Sequence, residues 1–102
     1  MTTKIFTWIP PTQNTDGSPI TAGEVTGFEI GVSPKSRALV GDYVTKYQIV
    51  GAGKISFQAD FGPDDYVSSI RTIGTVDSAW AAEVAFSVAA PVPQPPSSFT
   101  VA

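Results

Sequence analysis

The chain has 102 residues, enough for one domain with its own core. Only 15% of them are charged while nine are Gly and nine Pro, a balance that suits an all-β domain and argues against a helical one. Net charge is −3 with six scattered basic residues, which excludes nucleic acid as an expected partner; the absence of Cys and His removes disulfides, thiolate chemistry, ordinary zinc sites and His-based acid–base catalysis.

No apolar run reaches the length of a membrane span. The opening MTTKIFTWIPP lacks the apolar core of a secretory signal. The expectation is a protein made in the cytoplasm without a signal peptide and without a membrane partner.

Phe6 and Trp8 lie two apart and face one side of a first strand, with Thr7 on the other. PPTQNTDGSP, residues 10–19, then breaks the pattern with turn formers. Asn14, Asp16 and Ser18 offer oxygens at alternate positions, as a calcium loop does. Counting Asn14 as the first ligand of such a loop puts the closing position at Val25, with Glu24 one residue off. Asp16-Gly17 supplies a positive-φ position and Asn14 can accept local backbone bonds, so the segment reads as a framework turn.

Phe28, Ile30 and Val32 form the next alternating set, ended by Ser33-Pro34. Lys35 and Arg37 make a small basic spot in the loop SPKSRALVGD, which reads as solvated. In YVTKYQIV, residues 43–50, Tyr43, Thr45, Tyr47 and Ile49 share one face. KISFQADF places Ile55, Phe57 and Ala59 together, FGPDD turns, and YVSSIRTI alternates from Tyr66. After the loop GTVDSAW, Val84, Phe86 and Val88 align in AEVAFSV. About six strands at roughly ten-residue spacing predict a sandwich or a small barrel. Residues 1–88 form that domain. Residues 89–102 are a tail, in which AAPVPQPP is a stiff extended spacer and SSFTVA a short alternating strand built on Phe99 and Val101.

This order of segments resembles the fibronectin type III domain, in the form common in bacterial and phage proteins. FTW, PPTQNTDGSPIT and GFEIGVSP match its B strand, the following loop and its C strand. ISFQADFGPDDY looks like its E strand and tyrosine corner, with Phe61 in the family's Leu position and Tyr66 as the corner tyrosine. VDSAWAAEVAFSV looks like its last loop and G strand, so the resemblance covers residues 5–88. It implies an immunoglobulin-like antiparallel β-sandwich of about seven strands and a binding or spacer role. One departure stands out. The family's A strand precedes the B-strand Trp by about ten residues, whereas only MTTKIFT precedes Trp8 here, so that strand is missing or shortened. PPSSFTVA, in turn, looks like the opening of such a domain.

Asp60, Asp64 and Asp65 are the only carboxylate cluster; paired carboxylates can hydrolyse glycosides or hold a cation, but these read as a solvated turn before Tyr66. No catalytic residue, metal site or cofactor is expected. Phe6, Trp8, Phe28, Phe57, Phe61 and Tyr66 read as core. Trp80 is either an exposed interface anchor or an aromatic folded back on the sheet. Tyr47 and Ile49, with Tyr43, are either a contact face or ordinary packing. Phe99 and Val101 are the remaining interface candidates. A sandwich without its A strand leaves strand B with unpaired backbone groups, and residues 98–101 have the alternation to fill that edge. Residues 90–96 reach about 22 Å at roughly 3.1 Å each, which makes return to the same domain marginal and a neighbouring subunit easier to reach. The tail is thus either a strand donated to another subunit or type III domain, or a disordered Pro-rich segment with an incidental Phe99-Thr100-Val101. The expected function is thus non-enzymatic: a structural or interaction protein, placed in a phage virion (head decoration, tail or fibre attachment). A carbohydrate- or cell-surface-binding module with a surface glycan as partner is the alternative.

Overall fold

The computed structural model describes residues 1–37 and 41–102. Six strands follow one another as β1 (Thr2–Thr7), β2 (Val25–Pro34), β3 (Thr45–Val50), β4 (Ser56–Phe61), β5 (Asp64–Gly74) and β6 (Val84–Val88). A 3-10 turn, Lys35–Arg37, carries the exposed basic spot; residues 38–40 of that loop lie outside the described residues. All pairings are antiparallel, in a two-stranded sheet β1-β4 and a four-stranded sheet β3-β2-β5-β6. The chain is therefore all-β, with the two-sheet arrangement of a β-sandwich.

Alternation explains the interior. Phe28, Ile30 and Val32 are 2–3% exposed and form the centre of a core with Ile49, Phe61 and Val88. Phe6, Trp8, Phe57, Tyr66, Ile70 and Phe86 close around it. Most rings meet edge-on or tilted, as Phe6 does on Phe61 at 6.0 Å and Trp8 on Phe28 at 5.4 Å, while Tyr66 and Phe86 stack at 5.0 Å.

β2 is buried on both faces. From Gly27 to Ser33 every residue is buried, including the polar positions between the core residues. On the outer face a Cβ at Gly31 would overlap the ring of Tyr43. Ser33 is fully buried, and its Oγ accepts from the backbone N–H of Val44 at 2.7 Å. That bond corrects one expectation. The chain joins the ladder only at Thr45, so Tyr43 lies on the outer face against Gly31 and Trp80, while Tyr47 turns inward onto Phe57 and Phe61. Ile55, grouped by its spacing with Phe57 and Ala59, precedes β4 and stays exposed.

The framework turn forms as its residues suggest. Asn14 and Ser18 close it backbone to backbone, Gly17 takes φ 87°, and the Asp16 carboxylate accepts from Ser18 N at 2.9 Å and Ser18 Oγ at 2.6 Å. At the opposite end of the molecule, the β4–β5 turn is pinned by the Tyr66 hydroxyl, which donates to the Gly62 carbonyl at 2.7 Å.

The tail runs outward. Residues 89–102 are exposed and without regular structure. The long axis is 78 Å against 25 and 20 Å, and the radius of gyration is 19.2 Å, where a compact domain of this length has about 13 Å. β5, at roughly 3.3 Å per residue, spans about 36 Å, and an extended 14-residue tail adds about 43 Å. Body and tail are thus close to collinear.

Candidate functional site

β1 has one hydrogen-bonded neighbour, β4, and its other edge is unpaired among the described residues. Which backbone groups face that edge follows from the register. Trp8 donates its N–H to Ile55 O at 3.1 Å, just past the Thr7–Ser56 pair. Antiparallel strands alternate bonded and non-bonded pairs, so Phe6 and Lys4 also turn their backbone groups to β4. Thr3, Ile5 and Thr7 therefore present theirs outward, as a free template for another strand.

Beside this edge lies a groove of 310 Å3 between β1 and β6. Phe6 and Trp8 form one wall, Ile30 and Ile70 the floor, Val84 and Phe86 the other wall. The lining is mostly apolar because these are core-facing positions on strands whose cover stops short. Val84 shows the consequence: it aligns with Phe86 and Val88, yet stays 64% exposed. Trp8 carries the one buried side-chain polar atom without a hydrogen-bond partner among the described residues, its indole N–H. Lys4 also lines the groove, on the same face of β1 as Phe6. An inward-facing Lys on an open edge is a usual guard against indiscriminate pairing.

The expected interface residues fall into three settings. Phe99 and Val101 project from the tail, 84% and 85% exposed. Trp80 is half-buried, folded over the outer face of the four-stranded sheet, with its ring 4.9 Å from Tyr43 and the Arg71 guanidinium 5.0 Å above it. Tyr47 and Ile49 face the core, and burial raises the Tyr47 hydroxyl above its ordinary pKa.

Around Trp80 the structure assembles a polar cluster that residue spacing does not suggest. Glu29, buried in β2, accepts from Arg71 Nε at 2.8 Å and from the Gln48 amide. Tyr43 donates to Glu83 Oε2 at 2.9 Å; burial first, and then that bond, raise its pKa. Glu29 and Arg71 are direct partners in the β2–β5 register. The available signal was a charge, Glu29, between the core residues of β2 and another, Arg71, between Ile70 and Thr72 of β5, but their pairing depends on a register between positions far apart in sequence. This cluster fastens the β5–β6 connection onto the sheet.

The remaining candidates are locally satisfied. Asp60 accepts from Thr3 Oγ1, Asp64 from the Asp65 N–H, and Asp65 from Ser87 Oγ, so the three carboxylates serve separate contacts. A loop cleft of 620 Å3 at the Trp8 end is lined by Asn14, Glu24 and Asp77 among others. Asn14 donates to Glu24, Glu24 accepts from Thr21, and Asp77 accepts from the Gly74 N–H. Hydrogen bonds from Thr21, and then from Asn14, hold Glu24 below the usual carboxylate range, and those from Ser18 do the same for Asp16. Trp80 is not part of this cleft's lining. Among the described residues no three acidic side chains converge as a metal site would require, and no helix is long and apolar enough to cross a membrane.

No protein-family model, curated protein or solved structure matches the chain.

Proposed function

We propose that this protein is a non-enzymatic assembly module, a fibronectin type III-like sandwich that docks into a larger structure through the open edge of β1. The observation that carries this reading is the unpaired Thr3, Ile5 and Thr7 edge beside an apolar groove. An edge strand of this kind favours strand addition, in which main-chain bonds supply affinity and alternate side chains fill pockets. The type III likeness is supported by the pairing β1-β4 and β3-β2-β5-β6, which corresponds to B-E and C′-C-F-G. It is supported too by the Tyr66 to Gly62 bond and the Trp8 that ends β1's path into the proline loop. In that correspondence the vacant position beside β1 is that of strand A. Exposed tail, rigid spacer and open edge together suit a component of a repeating particle, and a phage virion is the setting we propose. Against a glycan-binding module stands the loop cleft, whose lining includes no aromatic residue.

Hydrogen exchange resolved by residue tests the reading. In dilute protein the amides of Thr3, Ile5 and Thr7 should exchange freely, and those of Lys4 and Phe6 slowly. In the assembled particle the amides of Ile5 and Thr7 should be protected as well. Free exchange at Ile5 and Thr7 in assembled material would remove the edge as the docking site.

A further inference from the structure

We infer that the strand received by β1 is the tail segment around Phe99–Val101 of a second copy, entering antiparallel so that copies join head to tail. This rests on the reading of β1 as the docking edge and goes further by naming the occupant, its direction and its register.

Direction comes first. Thr2 pairs with Phe61 and Asp64 with Val88, and only Gly62 and Pro63 separate Phe61 from Asp64. The start of β1 and the exit of the tail therefore lie at one pole, and Trp8 lies at the other. A strand antiparallel to β1 must enter at the Trp8 pole. Antiparallel pairing is the mode of every ladder in this protein and is slightly the more stable per residue.

Geometry then excludes the protein's own tail. If the chain doubled back after Val88, the ten residues up to Ser98 would lie along β1 for about 31 Å at roughly 3.1 Å each. β1 itself, with six residues, is about 20 Å long. Phe99 would overshoot the groove and run parallel. Four prolines among residues 89–96 oppose the reversal, and the tail in fact continues along the long axis of the body. A second copy stacked with its Trp8 pole towards that tail receives it without any reversal.

Chemistry and register agree with this. Phe99 and Val101 are two apart and almost fully exposed, while Ser98 and Thr100 beside them are small and polar. Ser98 holds φ 56°, the only non-glycine residue in the left-handed region among those described, and a bend at residues 97 and 98 separates the spacer from residues 99–102, which form no strand in the single chain. Entering from the Trp8 pole, Phe99 comes opposite Trp8 and Val101 opposite Phe6, both on the groove side. Thr100 then exchanges backbone bonds with Thr7, and Ala102 with Ile5. Lys4 falls beyond the two apolar contacts, where its charge can stay in water. Because donor and acceptor surfaces differ, the contact is heterologous and builds chains or rings.

Complementation in the full-length chain tests this. Phe99→Asp combined with Val101→Asp spoils the donor and keeps the edge. Ile5→Pro removes one outward N–H and keeps the β4 ladder, because proline is tolerated on an edge strand. Light scattering over a concentration series should show the native protein associating, and each variant alone at least tenfold weaker. An equimolar mixture of the two variants should form pairs and nothing larger, since each pair uses the only intact donor and the only intact edge. Native protein that stays monomeric overturns the inference, as does a mixture that does not pair. Association that survives in the tail variant also overturns it; that variant alters exposed side chains only, so its result is decisive even if Ile5→Pro fails to fold. If Ile5→Pro alone abolishes association, another strand occupies the edge and the assembly reading survives without this occupant. If neither variant matters, the β1 edge is not the contact between copies, and its exchange behaviour in the particle decides the rest.

Discussion

β2 and β1 are both alternating strands that end near a proline, yet one is sealed and the other open. β2 has neighbours on both edges and cover on both faces, and Phe28 is 2% exposed. β1 has one neighbour and cover on part of one face, and Ile5 is 70% exposed. The contrast teaches that alternation reports which residues share a face, but says nothing about how many sides of the strand are covered. Stability in this protein should therefore reside in the four-stranded sheet, and binding in the two-stranded one.

Truncation makes the sharpest test of that division. Phe28→Ala deletes a ring from the centre of the core, in contact with Trp8, and should cost about 3–5 kcal/mol by urea denaturation. Ile5→Ala, on the outer face of the open sheet, should stay within about 0.5 kcal/mol. Comparable losses at the two positions would mean that the two sheets share the stability, and the division would fall.

The next effect concerns how the outer face of the closed sheet is sealed. The Glu29 side chain is 7% exposed and that of Arg71 is 29% exposed. Removing Arg71 leaves a buried carboxylate with only Gln48 beside it, whereas removing the charge of Glu29 leaves a guanidinium that can still reach water and Asp77, 4.0 Å away. Arg71→Met should thus cost about 3 kcal/mol, and Glu29→Gln clearly less, roughly 1 kcal/mol. The reverse order would show that the cluster is held from the Arg71–Trp80 side and not by the buried acid.

Much of the architecture was legible in the residues. The six strands, the Asn14–Ser18 turn and the exposed Phe99 and Val101 follow from local pattern: period two, turn chemistry and a proline spacer. The Tyr66 hydroxyl bond follows from the resemblance to a tyrosine corner and not from local pattern. Spacing alone misplaces Tyr43, because YVTKYQIV alternates without a break and only the side chain of Ser33, on the preceding strand, takes the Val44 amide out of the ladder. The Glu29–Arg71–Trp80 arrangement was invisible for a related reason. It needs the β2–β5 register, which itself shifts between Val25 and Gly27, and local pattern supplies neither. For the proposed docking edge, the residues pointed to a vacant strand position, but the groove, its walls and the proposed polarity of entry required the two sheets to be placed together.

The smallest effect lies in the loops at the Trp8 pole, beside the mouth of the open edge. Asp16 and Glu24 have pKa values below the ordinary carboxylate range because Ser18 and Thr21 donate to their ionised forms. A carboxylate depressed in the folded state contributes stability that is complete above its unfolded value and is lost as pH falls through the folded one. Asp16 is exposed and Glu24 only partly buried, so acidification should loosen the loop without unfolding the sandwich. The Ser18 amide, which donates to Asp16, and the Thr21 amide, which donates to Glu24, should lose protection in this acid window. The Asn14 and Gly17 amides should keep theirs, because their acceptors are backbone carbonyls that do not titrate. Residue-resolved exchange in Asp16→Asn and Glu24→Gln should then show little pH dependence at Ser18 and Thr21 respectively. If none of the four amides weakens in the native protein, the loop is held by the sheet beneath it and not by its own carboxylates. The open pole would then be as firmly built as the closed one.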